Sequence, residues 1–321
     1  MDSSKENQAY FFLAIVILLW GINYVVGRVL SSTAVFDEIQ ISGIYYGFLR
    51  YFTGALTMIV VMFYQRKGIN TIRNEVKPYF KVLMFSAFVS ALFVIGAHMS
   101  HEFITGGTTS VIINLCPILV FLYSISIMKQ KATTMKIAGF ILGSLGGMIF
   151  LYNSLEDASG SDIPLGIILA LIAMVAWAAY TLSLQYMEGA DRYIVMTVKH
   201  SVSSIFVVPF LLIYIAEEPV IFEINIYSIL GVIFAGVFAS GLAYILYFKS
   251  IEMIGASKAS SFLFLIPFVS LLGDIFLNEL PSVITLIGGV IAIVGIALIK
   301  RSSVVEKKEI PSTSVIDPQV S

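Results

Sequence analysis

The residues of this 321-residue chain that could do chemistry are a few charged groups inside long apolar runs. Arg50 lies in the second of these runs, and Lys199 and His200 lie together in the seventh. An ionisable group inside a membrane helix costs about 2.5–3.5 kcal/mol, so these three residues are candidates for binding a substrate. The alternative for Arg50 and Lys199 is a structural role, in which the long side chain snorkels to a membrane surface.

Two groups of aromatic and polar residues recur at helical spacing, so each group shares one face of a helix. They are Trp20, Asn23 and Tyr24 in the first apolar run, and Trp177, Tyr180 and Thr181 in the sixth. Rings with one polar edge suit the recognition of molecules that are partly apolar and partly polar, although such rings also fill helix interfaces. Asn114 in the fourth run, which fits a cavity or an interhelical contact equally, and Tyr244 in the eighth complete the predicted substrate-binding set.

Two prolines, Pro117 and Pro267, lie 150 residues apart inside apolar runs. Each proline lacks a backbone N–H, which frees the carbonyl four residues earlier, that of Ile113 or Leu263. Kinked helices at corresponding positions of two halves indicate a transport path, so both prolines are predicted hinges. The alternative is a static bend that shapes packing, because membrane helices tolerate proline.

The sequence contains no group of residues that predicts catalysis. His98, His101 and Glu102 could share a metal ion, but the remaining histidine, His200, is predicted near the opposite membrane surface. We find no phosphate-binding loop and no nucleophile elbow. We therefore expect no catalytic residue, no metal, no cofactor and no enzymatic activity, and the net charge of −1 gives no attraction to nucleic acid.

The elements that position these residues are predicted membrane helices. Hydrophobic residues make up 58% of the chain and charged residues 12%. This is more apolar side chain than the core of a soluble protein could bury. A helix crosses the bilayer core with about 20 apolar residues. The apolar runs predict ten such helices, at residues 10–30, 43–64, 79–98, 104–127, 135–152, 164–186, 193–215, 226–248, 256–277 and 282–300.

The charges between the apolar runs predict the topology. Alternate connections contain the basic residues, such as Lys67 and Lys129, and the intervening connections contain acidic residues, such as Glu102 and Glu218. Basic residues mark cytoplasmic loops, so an even number of helices places both termini in the cytoplasm. We expect a multi-pass protein of the plasma or inner membrane, whose single cysteine, Cys116, has no intrachain disulfide partner.

A weak internal repeat divides the chain. A shift of 150 residues places Pro267 on Pro117, and a slightly longer shift places Trp177 on Trp20. Each half then contains five helices, and an odd number inverts the second half relative to the first. The fold class predicted is an all-α integral membrane protein with ten transmembrane helices as two inverted five-helix repeats. The predicted units are residues 1–155, residues 156–300 and a disordered cytoplasmic tail at residues 301–321.

Small residues at helical spacing predict close helix packing. Gly139, Gly143 and Gly147 share a face of the fifth run, and Gly288 and Ala292 form a shorter version in the tenth. Small residues at such intervals let two backbones approach closely in a membrane. The alternative use of such a face is dimerisation, so a monomer is expected, with a homodimer as the alternative.

Four stretches carry a family resemblance. They are LLWGINYVVGR at residues 18–28, FLRYFTGAL at 48–56, ASGLAYILYFKSIEMIGASKAS at 239–260 and IPFVSLLGDIFLNELPSVITLIGGVIAIVGI at 266–296. Together they resemble the EamA-like branch of the drug/metabolite transporter superfamily. The resemblance implies a ten-helix bundle of two inverted halves around a central cavity, which moves small organic solutes, often amino acids or related metabolites, outward.

Two features depart from the pattern of that family. The acidic hairpin LNEL at residues 277–280 is replaced by MKQKAT at 128–133 in the first half, where a cytoplasmic turn favours basic residues. Asp274 occupies a position where the family usually has an apolar or small residue. Asp274 marks either a subgroup with its own coupling or substrate, or only a helix end near the outer headgroups.

We predict a secondary transporter that lies in the lipid bilayer and exports small organic metabolites, such as amino acids, by alternating access. One alternative is a nucleotide-sugar or nucleobase carrier, which would have more basic residues in its cavity. The other is a non-transporting scaffold, whose function would tolerate bulky residues in place of Asn23 or Thr181.

Overall fold

The computed structural model describes residues 3–31, 36–100, 103–104, 106–156, 163–217, 219, 221–275 and 283–308. Within these residues the chain is helical, and its only β-type pairing is one isolated bridge between Ile41 and Phe222. The α-helices are α1 Ser3–Ser31, α2 Gly43–Tyr64, α3 Ile69–Ser100, α4 Gly106–Ile113, α5 Cys116–Ser126, α6 Thr134–Glu156, α7 Ile163–Gln185, α8 Arg192–Glu217, α9 Ile226–Ile233, α10 Ala243–Ile254, α11 Ala256–Ser261, α12 Ile266–Ile275 and α13 Val283–Lys308.

The prediction of an all-helical membrane chain is confirmed over these residues. Seven stretches are long and apolar enough to cross a membrane: Ser4–Ser31, Gly43–Tyr64, Ile69–Ser100, Thr108–Ser126, Pro164–Gln185, Arg192–Glu217 and Ile226–Ile254. Two shorter apolar stretches are Thr134–Ile149 and Ala256–Ser270. The number of ten helices and the inversion of the halves therefore stay predictions.

The connections between helices gather at two opposite ends of the bundle. At one end, which we call the basic end, Lys67 pairs with Asp191, and Lys258 Nζ lies 3.6 Å from the carboxylate of Glu6. At the opposite end the backbone N–H of Ser42 donates to the carbonyl of Ile221 across 3.0 Å. The long helices, such as α1, α2 and α3, therefore run from one end of the bundle towards the other.

Three irregular stretches interrupt the apolar runs. Helices α9 and α10 are joined by a π-helical segment, Phe234–Leu242, and α11 and α12 by a 3₁₀ segment, Phe262–Leu265. Helices α4 and α5 are separated by a turn at residues 114–115. Because π and 3₁₀ turns change the number of residues per turn, they rotate the faces that follow, and such segments are frequent at functional sites.

Close packing is present between α6 and α13, but only part of the predicted glycine face takes part. Gly139 and Gly143 meet Gly295, whereas Gly147 faces Leu115, and Gly146, which was not predicted, meets Gly288. A Cβ atom on Gly146 would lie 2.4 Å from the carbonyl oxygen of Gly288, and one on Gly295 would lie 2.6 Å from that of Gly139. Real Cβ atoms do not approach a backbone oxygen so closely. Only glycine therefore fits at these crossings, and the two backbones touch.

Several predictions concern residues that are not fully described. The hairpin at residues 277–280, together with His101 and Glu102, lies outside the described residues, and so does the side chain of Asp274. Helix α13 continues to Lys308, past Arg301, where the predicted tail begins. Residues 309–321 of that tail lie outside the described part.

Candidate substrate-binding cavity

A small cavity lies in the bundle where α1, α2, α3 and α7 meet the turn between α4 and α5. Its volume is about 20 Å³, which is room for about one water molecule. The wall combines aromatic, amide and cationic side chains with three apolar residues. The lining residues are Trp20, Asn23, Tyr24, Arg50, Phe93, Ile113, Asn114, Trp177 and Ile266.

Two tryptophans form one wall of this cavity. The rings of Trp20 and Trp177 meet edge to face with their centroids 5.1 Å apart. The indole Nε1–H of Trp20 donates to the carbonyl of Ala239, in the π-helical segment, across 2.8 Å. This hydrogen bond satisfies the one polar atom of a buried indole and fixes the orientation of the ring.

Arg50 provides the positive charge of the cavity. Its side chain is 6% exposed, and its Nε–H donates to the hydroxyl of Ser240 across 2.9 Å. Helix α2 can approach the π-helical segment closely here, because a Cβ on Gly54 would lie 2.9 Å from that of Ser240. Among the described residues no carboxylate forms an ion pair with Arg50, so its charge is available to an anion in the cavity.

Two amide side chains provide hydrogen-bonding groups at the same cavity. The Oδ1 of Asn23 accepts a hydrogen bond from the Tyr46 hydroxyl across 3.1 Å. The Nδ2 of Asn114 donates to the carbonyl of Ser110 across 2.7 Å, at the turn between α4 and α5. The Asn114 side chain also hydrogen-bonds to Tyr24, and Asn23 keeps its Nδ2 donors for a ligand.

Lys199 and His200 lie beside the cavity and do not line it. The Nζ of Lys199 is 3.9, 4.4 and 4.8 Å from the ring centroids of Tyr244, Tyr51 and Tyr180. Such cation–π contacts stabilise a desolvated ammonium by about 2 kcal/mol. Because this nitrogen is fully buried among rings, Lys199 does not snorkel to a membrane surface.

The ring of His200 completes this cluster. Its Nδ1 lies 2.8 Å from the carbonyl of Met196, and a carbonyl only accepts, so Nδ1 carries the proton. Its Nε2 then presents a lone pair to the Nζ of Lys199, 3.5 Å away. The hydroxyls of Tyr51 and Tyr244 are joined by a 2.9 Å hydrogen bond on the other side.

The predicted site residues therefore fall into two adjoining groups. The cavity is lined by Trp20, Asn23, Tyr24, Arg50, Asn114 and Trp177. The other group is the cluster around Lys199, which includes Tyr180, His200 and Tyr244, with Thr181 beside it. Tyr244 connects the groups, since its ring centroid is 5.4 Å from that of Trp20. The Thr181 hydroxyl lies 3.2 Å from that of Tyr247.

The sequence reasoning missed several residues of these two groups. Phe93 and Ile266 are ordinary apolar residues in apolar runs, and no pattern marks them as cavity residues. Ile113 and Tyr51 had a usable signal, because Ile113 lies four residues before Pro117 and Tyr51 follows Arg50. Ser240 is separated from Arg50 by 190 residues, a contact that a single sequence does not reveal.

Each of the two prolines lies at the start of an α-helical segment, directly after an irregular stretch of a longer helical run. Pro117 is the second residue of α5, directly after the turn that contains Asn114, and Pro267 is the second residue of α12. The carbonyl of Leu263, which Pro267 cannot use, accepts a hydrogen bond from the N–H of Ile266. Both prolines therefore lie where the missing N–H costs little, at corresponding breaks next to the cavity.

The ion pair at the basic end holds an acidic group in its charged form. Burial by itself would raise the pKa of Asp191, but the hydrogen bond from Lys67 and those from the backbone N–H groups of Ile194 and Tyr193 hold it below its usual value. The carboxylate side chain is 29% exposed. This pair joins the connection between α2 and α3 to the one between α7 and α8.

Comparison with known proteins identifies the family. The sequence model of the EamA-like transporter family matches residues 7–152 and 164–301. The chain belongs to the EamA-like transporter family. Two matches of similar length in one chain are consistent with the internal repeat, and the family prediction is confirmed. Membership of a transporter family also means that the chain is a multi-pass membrane protein and not an enzyme.

Relatives of known sequence cover nearly the whole chain. An uncharacterized transporter of Archaeoglobus fulgidus is 28% identical over 295 residues, which are 91% of this chain and 98% of the relative. The uncharacterized transporter YvbV of Bacillus subtilis is 25% identical over 313 residues, 96% of each chain. A solved crystal structure matches 94% of this chain and 99% of its own with a TM-score of 0.73; at 16% identity the match shows a shared fold alone.

Proposed function

We propose that this EamA-like protein is a secondary transporter for small metabolites that carry a carboxylate, such as amino acids. The observation that carries the proposal is Arg50, a buried guanidinium without a described ion-pair partner, in a cavity walled by Trp20 and Trp177. A buried cation binds a carboxylate through charge-assisted hydrogen bonds. The tryptophan rings suit the apolar part of the same molecule.

Transport in this proposal proceeds by alternating access. A cavity of about 20 Å³ holds no organic metabolite, so the described conformation is closed. Contacts between the halves close it at both ends: Lys67 with Asp191 at the basic end, and Ser42 with Ile221 at the opposite end. If the contacts at one end open while those at the other end stay closed, the cavity is exposed to each side of the membrane in turn, with Pro117 and Pro267 as hinges.

The pattern of helix contacts supports ten passes and two inverted halves. The segments alternate in direction when α4 with α5, α9 with α10, and α11 with α12 each count as one pass. In the two halves α1 then corresponds to α7, α3 to the pass of α9 and α10, and the pass of α4 and α5 to that of α11 and α12. The contact of α3 with α7 therefore has its counterpart in that of α10 with α1, and the contact of α1 with α12 in that of α7 with α4. Both members of each exchanged pair of contacts are present, as pseudo-symmetry requires.

The same proposal orients the protein in the membrane with its basic end on the cytoplasmic side. Basic residues concentrate on the cytoplasmic side of a membrane protein, so both termini lie in the cytoplasm. The protein then lies in the cell membrane, and the family resemblance indicates export. Facilitated or exchange transport fits the described residues, because a proton-coupled carrier usually uses a carboxylate in its cavity and the described lining residues include none.

A thermal-shift screen of the purified protein tests the proposal. We expect amino acids to raise the unfolding temperature by about 5 °C at ~100-fold excess over Kd, because such saturation adds about 2.7 kcal/mol. The amides and the decarboxylated amines of the same compounds should give no shift, because they lack the carboxylate. Arg50→Gln should abolish the response, while the matched change Arg66→Gln, on an exposed turn, should retain it.

Flux in liposomes separates a transporter from a scaffold. Purified protein should exchange a stabilising amino acid labelled with an isotope, and Asn23→Phe should stop the exchange by filling the cavity. Binding without flux, or flux unchanged in Asn23→Phe, would contradict transport through this cavity. A shift produced equally by acids and amides would contradict recognition by Arg50.

A further inference from the structure

A second concave site, unrelated to the cavity, opens towards the lipid between α3, α5 and α7. Its volume is about 570 Å³, and its surface is almost entirely apolar. Residues of α3, α5 and α7 line it. Its lining includes Lys81, Phe85, Tyr123, Val175, Ala179 and Tyr186. We call this site the α3–α7 groove.

The groove continues along α3 and α7 towards the opposite end of the bundle. A depression of about 520 Å³ shares Phe85, Val175 and Ala179 with it and extends to Leu92. From Lys81 to Leu92 the path covers about 16 Å at 1.5 Å per helical residue. One leaflet of a bilayer core of about 30 Å is about 15 Å thick, so the groove has the length of one acyl layer.

The end of the groove nearest the basic end is polar. Lys81 lies at this end, and the hydroxyls of Tyr123 and Tyr186 lie 2.9 Å apart across it. An adjoining depression of about 680 Å³ is lined by Arg73, Lys77 and Lys81, which recur every four residues and share one face of α3. Among the described residues none of these three cations forms an ion pair.

We propose that the α3–α7 groove binds an anionic phospholipid, with one acyl chain along α7 and the phosphate at Lys77 and Lys81. An apolar groove that faces the bilayer is filled by acyl chains, and the headgroup contacts decide which lipid is retained. Basic pockets between membrane helices on the cytoplasmic side favour anionic headgroups. The Tyr123 and Tyr186 hydroxyls can donate to the phosphodiester oxygens. The proposal uses the proposed orientation only to name the leaflet, which is the cytoplasmic one.

The test measures the lipid preference of the full chain in detergent. Phosphatidylglycerol should raise the unfolding temperature more than the same amount of phosphatidylcholine, and native mass spectrometry should retain one phosphatidylglycerol per chain. The double variant Lys77→Gln and Lys81→Gln should lose the preference and weaken the retained lipid at least tenfold. Lys5→Gln, an exposed lysine on α1 outside the groove, should behave as the wild type.

Filling the groove provides an independent variant. Val175, in the groove, is 54% exposed, and Val60, on α2 outside it, is 66% exposed. Val175→Trp should reduce retained phosphatidylglycerol, whereas Val60→Trp should not. Equal stabilisation by phosphatidylglycerol and phosphatidylcholine would overturn the proposal. So would a Lys5→Gln control that loses its preference for phosphatidylglycerol as fully as the Lys77 and Lys81 double variant. Amino-acid binding is measured separately, so failure here leaves the proposed transport function intact.

Discussion

At the residue scale, the buried Lys199 is the side chain whose contacts do not fully offset the cost of placing a charge inside the membrane. An ionised group costs about 2.5–3.5 kcal/mol inside a membrane, and a cation–π contact returns about 2 kcal/mol. We therefore expect Lys199→Met to change the unfolding temperature by less than about 3 °C, because the two terms nearly cancel. If the lysine adds to the positive field that attracts a carboxylate, the same variant should weaken amino-acid binding at least tenfold.

Thermal unfolding with and without amino acid measures both effects in one experiment. Lys5→Met serves as the control, because Lys5 lies exposed at the start of α1. A large loss of stability with an unchanged ligand response would assign Lys199 a structural role. The cluster with Tyr51 and Tyr244 would then be a stabilising feature alone.

Sequence reasoning at the residue scale singles out a residue whose type is unusual for its surroundings. Arg50 and Asn114 stand out in apolar runs, and both line the cavity. It fails for residues that belong to the site only through tertiary contact, such as Phe93 and Ser240. Periodicity assigns residues to a face of one helix, but the facing helix depends on the packing of the whole bundle.

At the element scale, the crossing of α6 and α13 makes a sharp stability prediction. Gly146→Leu should lower the unfolding temperature by about 2–10 °C, because the side chain meets the backbone of Gly288, and overpacking costs about 1–3 kcal/mol. The matched variant is Gly68→Leu, since a Cβ there meets nothing within 4 Å. Thermal unfolding in detergent measures the difference, and equal stability of the two variants would show that the helices separate readily.

The helix boundaries show what hydropathy can and cannot predict. The second apolar run coincides with α2, but α3 begins at Ile69, ten residues before the predicted start at residue 79. Hydropathy marks the apolar part of a helix, and the first turns of α3 are basic and polar. The π-helical segment and the 3₁₀ segment were not predicted, because both consist of ordinary apolar residues whose turn geometry is set by packing.

At the scale of the whole molecule, composition and charge alternation predict the membrane class and the two ends of the bundle. They do not predict how small the cavity is, because its volume depends on contacts between helices that are distant in the sequence. The pair of Lys67 and Asp191 joins residues that are 124 positions apart. Surface ion pairs contribute about 0–1 kcal/mol, which is enough to shift an equilibrium between closed and open states without unfolding either one.

The pair predicts a defined pH dependence. Since the pKa of Asp191 is lowered in the folded chain, its contribution to stability is present above the unfolded value of about 3.9 and is lost as the pH falls through the lowered value. Asp191→Asn should therefore unfold at a lower temperature than the wild type at pH 7, and the difference should vanish in acid. A difference that grows in acid would contradict the assignment.

The same variant also tests whether the pair closes the cavity. The single cysteine, Cys116, is buried beside Pro117 and reports on opening, because a maleimide reaches it only when the bundle opens. Loss of about 1 kcal/mol in Asp191→Asn raises the open population up to about fivefold, so alkylation should accelerate by that factor. Glu188→Gln removes an exposed carboxylate from the same turn and should not change the rate. Acceleration in both variants would mean that general loosening, and not the Lys67 pair, controls access to the site.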